Sequence, residues 1–126
     1  DDGTCWPTAW VPEFSRRARG FTVYAALREL GCNGLAEQIE RSCANARLMA
    51  ELLSAKGTIL NDVALNQVLV RFDDTGAVIA AAQDDGTCWM SGTTWQGEPA
   101  MRISVCNWRT TADDIRRSAA AILRHA

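Results

Sequence analysis

Apolar residues recur at helical spacing in the first half of the chain. A first stripe predicts a helix that begins at Ser15, a suitable N-cap, and ends at Gly31, because glycine commonly terminates helices. A second stripe predicts a helix over residues 33–56, which ends at Gly57. The apolar positions are Phe14, Ala18, Phe21 and Ala25 in the first helix, and Leu35, Ile39, Cys43, Ala46, Ala50 and Leu53 in the second.

The second half of the chain changes to the patterns of strands and turns. Branched residues alternate with polar ones, and the runs are separated by residues that favour turns. The last helix is expected to begin at Thr110 or Thr111, with Asp113 and Asp114 in its first turn, where the helix dipole favours negative charge. The predicted elements are strands 58–60 and 65–72, a short helix 77–83, and strands 88–95 and 100–106 joined by a hairpin at 96–99.

This order of elements predicts an α+β fold with a small, mostly antiparallel sheet that carries helices on one face. The clearest alternation lies in residues 101–106, where Met101, Ile103 and Val105 alternate with Arg102 and Ser104. One face of the sheet is therefore expected to meet the helices, and the other to present polar groups.

Length and composition indicate one domain. The chain has 126 residues, and we expect an irregular segment over residues 1–12 followed by a single domain over 13–126. The hexapeptide DDGTCW occurs at Asp1 and again at Asp84, but the surrounding patterns differ, so we infer no duplicated module. Asp1 is not a translational start, so we expect further sequence before it.

Charge and cysteine usage exclude several classes of partner. The net charge of −2 offers no general attraction to nucleic acid or to anionic lipid, and no apolar run reaches the roughly 20 residues of a membrane span. The five cysteines are odd in number and lack CxxC spacing, so we expect reduced cysteines that are mostly packing residues in a cytoplasmic protein, without a metal site.

The residues alone reveal no catalytic machinery. His125 is the only histidine and Lys56 the only lysine, and both are expected to be solvated near chain or helix ends. Arg16 and Arg17 stand in a predicted first helical turn, where the dipole disfavours them, so they either face an anionic partner or form a solvated basic turn. For Arg102 a solvated arginine is the favoured interpretation at this point.

Five motifs in order change that interpretation. The runs WVPEFSRRARGFTVYAALRELGCNGL, LNDVALNQVLVRF, DDGTCWMSGTTW and AMRISVCNWRTT, with a long helix after the first, resemble the C-terminal part of the group II amino-acid decarboxylases. These enzymes depend on pyridoxal phosphate (PLP) and include the aromatic-L-amino-acid and glutamate decarboxylases. The resemblance covers nearly the whole chain from about Trp10.

The resemblance implies a small C-terminal domain of a fold-type I enzyme. In such enzymes a large domain holds PLP through a lysine that usually follows a histidine, and two subunits form a homodimer with its active sites at the interface. Lys56 follows Ala55 and matches no such position. We therefore expect PLP in the parent enzyme but not bound by this chain alone, with a PLP-binding large domain and an amino-acid substrate as partners.

The resemblance also implies roles for individual residues. Arg102 occupies the place of the arginine that binds the substrate's carboxylate, since a guanidinium can hold a carboxylate through two hydrogen bonds. The family lines the mouth of its site just before that strand, which implies substrate selection by Thr93, Thr94 and Trp95, although ordinary hairpin packing is an equal alternative for the tryptophan. Arg16 and Arg17 match an arginine-rich turn near the domain or subunit interface.

Two hypotheses of different class follow. The first is the C-terminal portion of a PLP-dependent decarboxylase, inactive alone, or acting with a separately encoded large domain. The alternative is a free-standing α+β binding or regulatory module without catalysis. The first predicts that Arg102 lies on an exposed sheet face with apolar surface around it, and a face covered by the chain's own helices would contradict it.

Overall fold

The computed structural model describes residues 19–126, which form three helices and one four-stranded sheet. Their contacts divide the chain into two units, one ending at Leu35 and the other spanning Ala36–Ala126. The predicted helix start at Ser15 lies outside the described residues. In chain order the elements are α1 (Arg19–Leu53), β1 (Thr58–Ile59), β2 (Gln67–Arg71), α2 (Thr75–Asp85), β3 (Ser91–Trp95), β4 (Glu98–Ser104) and α3 (Ala112–Leu123).

Helix α1 is interrupted at Gly31, where a helix end was predicted. Gly31 has φ 61° and ψ −173°, a backbone conformation that glycine adopts far more readily than other residues. Beyond it, the predicted stripe is buried from Cys43 onward, whereas Ile39 stays half exposed. In the unit that ends at Leu35, α1 exposes several large apolar side chains. These are Phe21, Val23, Tyr24, Leu27 and Leu30.

The sheet has the strand order β1-β2-β4-β3, and every neighbouring pair is antiparallel. Val68 and Val70 of β2 lie opposite Ile103 and Met101 of β4, and all four are buried. Their side chains pack with α1, α2 and α3 in one core, so the three helices cover the same face of the sheet. The predicted α+β class, with an antiparallel sheet and helices on one face, is confirmed.

Capping residues set the ends of the two shorter helices. Asp74 caps α2 by accepting a hydrogen bond from the Ala77 amide, and Gly86 ends it in the left-handed region with φ 74°. Thr111 caps α3 in a capping box with Asp114, which decides between the two threonines considered above. Helix α2 is longer than predicted because Asp74 begins it two residues earlier and Gly86 ends it two residues later.

The turn between β3 and β4 is tighter than predicted. Gln96 and Gly97 both have positive φ, so the turn has two residues instead of four. Glu98 and Pro99 therefore belong to β4, where they pair only with β3. A proline is tolerated there because β2 does not extend to this end of β4.

Two sequence expectations need correction. Cys43 lies in the core and Cys88 packs against it, but Cys32 and Cys106 are exposed and do not serve packing. Lys56 is exposed but not merely solvated, because its Nζ donates hydrogen bonds to the carbonyls of Leu123 (3.0 Å) and Ala126 (2.8 Å). Lys56 thus ties the end of α1 to the C-terminal end of α3, where a positive charge suits the helix dipole.

Candidate functional site

Within the unit Ala36–Ala126, helices cover only one face of the sheet, and the opposite face is here called the outer face. Strand residues alternate between the two faces, so the neighbours of the buried residues point outward. The outer face is carried by Gln67, Leu69 and Arg71 on β2, Glu98, Ala100, Arg102 and Ser104 on β4, and Ser91, Thr93 and Trp95 on β3.

Arg102 stands in the middle of the outer face. It lies opposite Leu69 on one side and Ser91 on the other, and it is exposed. Within the part of the chain that the structure describes, it forms no ion pair and no side-chain hydrogen bond. Its guanidinium is therefore available to an anionic group that approaches this face.

One partly exposed apolar side chain lies beside Arg102, and others lie further along the outer face or just before its strands. Leu69 is partly exposed beside it, and Trp95 on the same face is 39% exposed. Leu65 and Trp89, just before β2 and β3, are 66% and 77% exposed. A face that combines a central arginine with exposed apolar groups is typical of a surface that another domain covers.

A second arginine, Arg71, lies diagonally across from Arg102 on the outer face. Its Nε is buried and has no hydrogen-bond partner among the described residues. The side chain borders a cavity of about 260 Å³, together with Asp73, Asp74 and Glu98. Arg71 was not predicted from the sequence, because its place beside Arg102 depends on the register between β2 and β4, which no local motif shows.

The structure separates the three predicted hairpin residues. Thr93 and Trp95 share the outer face with Arg102, whereas Thr94 points to the opposite face. Thr93 is diagonal to Arg102, but Trp95 lies opposite Glu98, roughly 13 Å further along the strand at about 3.4 Å per residue. The geometry brings Thr93, Ser91 and Leu69 to Arg102, and the last two were missed by sequence analysis.

The remaining predicted residues lie away from this group or outside the described part. Arg16 and Arg17 belong to the residues that the structure does not describe. His125 approaches Asp85, with 3.9 Å between its Nε2 and the carboxylate, at the ends of α3 and α2. Hydrogen bonds from Thr87 and Arg124 lower the pKa of Asp85 to about 2, so this carboxylate is ionised at neutral pH.

An arginine such as Arg102 on the outer face has the chemistry to bind and orient a carboxylate. Among residues 19–126 no group of three His, Cys, Asp or Glu side chains is arranged to hold a metal ion. PLP requires a lysine, and the single lysine of the sequence, Lys56, is bonded to carbonyls at the end of α3. The residues of this chain therefore do not fit a PLP site. None of the helices in residues 19–126 has the length and apolar character to cross a bilayer.

Comparison with known proteins rests on structure. No family model and no curated protein sequence matches the chain. Its fold matches Catharanthus roseus tryptophan decarboxylase in complex with L-tryptophan, with a TM-score of 0.75 and 19% identity over 86% of this chain and 26% of that one.

The chain shares its fold with amino-acid decarboxylases. Oryza sativa TDC with PLP and tryptamine matches with a TM-score of 0.77 and 16% identity, over 87% of this chain and 27% of that one. The glutamate decarboxylase domain of a Vibrio parahaemolyticus protein matches with a TM-score of 0.67 and 19% identity, over 81% and 24%. The chain thus spans about a quarter of the solved structures it matches, and the predicted resemblance to part of a group II decarboxylase is confirmed at the level of the fold.

Proposed function

We propose that this chain is the C-terminal portion of a PLP-dependent amino-acid decarboxylase, and that its outer face is covered there by a PLP-binding large domain. The observation that carries the proposal is an uncovered sheet face that presents Arg102 without an acidic partner in the described residues. The shared fold supports it, because that fold is found within decarboxylases of about four times the matched length.

Arg102 is proposed to bind the carboxylate of the amino-acid substrate. A guanidinium presents parallel N–H donors that match the two oxygens of a carboxylate, which fixes the direction of the bond to be broken. Leu69 and Ser91 flank this arginine and limit where a substrate can sit. The contribution of Arg102 is orientation of the reacting group, since the residues around it supply no general base.

The reaction requires groups outside this chain. PLP supplies the electron sink for loss of carbon dioxide in such enzymes, and no residue described here is suited to hold it. The chain alone is therefore expected to be inactive, and the active form to be a homodimer of the longer enzyme in the cytoplasm. Arg16 and Arg17 are proposed to lie near a domain or subunit interface.

Substrate selection is proposed to involve Thr93 and Trp95. Both lie on the outer face, with Thr93 beside Arg102 and Trp95 toward the hairpin. Trp95 lies four positions along β4 from Arg102, opposite Glu98. A small amino acid bound by Arg102 therefore does not reach Trp95, whereas a large substrate or the covering domain does. Thr94 faces the other way, so its predicted part in selection has no geometric support.

A free-standing binding module is the second candidate. It is favoured by the hydrophobic core of the unit Ala36–Ala126. In this core, side chains of α1, α2 and α3 pack against one face of the sheet. In this case the outer face recognises a separate carboxylate-bearing partner through Arg102, and no catalysis takes place.

Steady-state kinetics of the protein encoded by the whole reading frame test the leading proposal. The enzyme should release carbon dioxide from an amino acid in the presence of PLP, and residues 1–126 alone should not. Arg102→Gln should raise KM by about 10- to 150-fold, since a hydrogen bond to a charged group contributes about 1.5–3 kcal/mol. Arg102→Lys should recover only part of this loss, because lysine cannot form the two-point contact.

Arg109→Gln serves as the matched control. Arg109 is an exposed arginine outside the sheet, stacked on Trp108 with 5.0 Å from its guanidinium carbon to the ring centre. Its substitution should leave KM unchanged. Equal effects of the Arg102 and Arg109 substitutions would refute the proposed role of Arg102, and absence of decarboxylation by the whole product would favour the binding module.

A further inference from the structure

Strand β3 forms an open edge of the sheet in the described part of the chain, because β4 is its only neighbour there. Edge strands expose backbone N–H and C=O groups that can pair with another chain, and proteins usually protect them with charges, proline, bulges or very short strands. The opposite edge, β1, has only two residues. Strand β3 has five, SGTTW, with neither a charge nor a proline.

The sequence around β3 is self-complementary. Residues 89–95 read WMSGTTW, with Gly92 at the centre and a tryptophan at each end. If two copies pair antiparallel about a two-fold axis at Gly92, then Trp89 of each copy lies opposite Trp95 of the other. In the same register Ser91 lies opposite Thr93, which places small hydroxyl side chains against each other on both sides of the axis.

The two tryptophans are placed to meet in such a pairing. They are six positions apart, an even number, so they point to the same side if the pairing extends the strand conformation of β3 back to Trp89. Trp89 is 77% exposed and Trp95 is 39% exposed, which leaves two large apolar groups in water at the sheet edge. Cross-strand aromatic pairs stabilise antiparallel strands, and symmetry would form two of them.

We propose that β3 pairs with β3 of a second copy of this chain, which joins two four-stranded sheets into one of eight strands. The two-fold axis is perpendicular to the sheet, so the helices of both copies lie on one side and the two outer faces are continuous on the other. At the axis Gly92 brings no side chain, and the nearest atom to an added Cβ is Cδ1 of Ile79 at 3.6 Å, beneath its own strand.

The length of the backbone pairing is limited by Gln83. Its Nε2 donates a hydrogen bond of 2.8 Å to the carbonyl of Met90, so that carbonyl is already satisfied within the chain. The ladder is therefore centred on residues 91–93 and is flanked on each side by a Trp89–Trp95 pair. The inference is argued from the edge strand and its flanking tryptophans alone, so it does not rest on the proposed decarboxylase function.

Sedimentation velocity of the 126-residue chain at increasing concentrations tests the proposal. A monomer–dimer equilibrium is expected. Trp89→Arg and Trp95→Glu should each weaken dimerisation by about 2- to 30-fold, since each removes both aromatic pairs by symmetry. The double variant should dimerise more tightly than either single variant, because opposite charges then face each other between copies, while positions 89 and 95 of one copy are roughly 20 Å apart.

Trp108→Glu is the matched control. Trp108 is 63% exposed but lies between β4 and α3, so its replacement should leave the dimer unchanged. Amide hydrogen exchange of the unmodified chain provides a second measurement, in which residues 91–95 should be more protected at high concentration. A chain that stays monomeric, a dimer as sensitive to Trp108→Glu as to the edge variants, or a double variant weaker than both singles would overturn the proposal.

Discussion

The two faces of the sheet share the same backbone but have opposite roles. On β4, Met101 and Ile103 enter the core, while Arg102 between them faces away from the helices. The covered face is entirely apolar at its centre, whereas the outer face combines two arginines with hydroxyl and apolar side chains. One strand thus supplies the stability of the fold through one set of residues and the proposed recognition surface through the residues that alternate with them.

The comparison also shows where electrostatics acts in this chain. The ion pairs of residues 19–126 lie on α3 and at the ends of α2 and α3, and none lies on the outer face. Arg102, which forms no ion pair within residues 19–126, stays available to an incoming carboxylate, because an existing ion pair would first have to be broken. This agrees with the role proposed for Arg102.

The largest effect is expected from the covered face. Met101→Ala removes a fully buried side chain and should lower the free energy of unfolding by about 2–5 kcal/mol. The neighbouring Arg102→Gln, on the outer face, should change it by no more than about 0.5 kcal/mol. Urea denaturation of both variants measures the contrast, and equal losses would show that the two faces do not differ in their contribution to stability.

The next largest effect on stability is expected at Gly57, which lies close to core side chains. A Cβ added at Gly57 would lie 2.6 Å from Cγ2 of Val70 and 2.7 Å from Cε1 of Phe72, so the neighbours must move. Gly57→Ala should therefore destabilise the fold by about 1–3 kcal/mol in thermal or denaturant unfolding.

Gly92→Ala provides the control for this substitution. A Cβ added at Gly92 would also point to the covered face. It would meet only Ile79, at an ordinary contact distance of 3.6 Å. Its stability should stay within about 0.5 kcal/mol of the unmodified chain. If the two glycines prove equally sensitive, the steric argument for Gly57 is wrong.

The cap of α3 gives a smaller effect. The hydroxyl of Thr111 accepts a hydrogen bond of 3.2 Å from the Asp114 amide, and Asp114 in turn accepts one of 3.0 Å from the Thr111 amide. Thr111→Ala should cost about 1 kcal/mol in chemical denaturation, and Thr111→Ser much less because serine also caps. Equal destabilisation by both substitutions would show that packing of the threonine methyl, not capping, is responsible.

Sequence reasoning succeeded where local patterns decide the structure. The alternation in residues 101–106 placed Arg102 on the face opposite the core, and the break in α1 followed from Gly31. Turn and cap residues, such as Gly86 and Thr111, likewise act on their immediate neighbours. These features need no knowledge of distant parts of the chain.

The errors of prediction arise from contacts between distant parts of the chain. Arg71, Leu69 and Ser91 join Arg102 only through the register of β2, β4 and β3, which depends on pairing across up to 37 positions of the chain, as between residues 67 and 104. The carbonyls bound by Lys56 lie more than 65 positions away, at separations of 67 and 70.

The smallest effect on stability is expected from the titration of Asp85, the last residue of α2. Thr87 and Arg124 lower the pKa of Asp85 to about 2, so the folded state favours its ionised form. The stabilisation that ionised Asp85 gives the folded state is present above about pH 4, the ordinary pKa of an aspartate. It is lost as the pH falls toward 2. Thermal unfolding across this range should show a weaker acid destabilisation for Asp85→Asn.

Part of the acid dependence should remain in that variant. The pKa of Asp114 is also lowered, chiefly by its hydrogen bonds with Thr111, and this carboxylate titrates in the same direction. If Asp85→Asn kept the full acid sensitivity of the unmodified chain, the hydrogen bonds of Asp85 would not stabilise the folded state relative to the unfolded state.

The coding sequence that precedes Asp1 is the most direct measure of whether the outer face belongs to a decarboxylase. The account predicts a reading frame that continues upstream through a large domain containing a His-Lys pair, whose product covers the outer face and holds PLP. A start codon only a few residues before Asp1 would contradict this and leave Arg102 on the surface of a free-standing binding module.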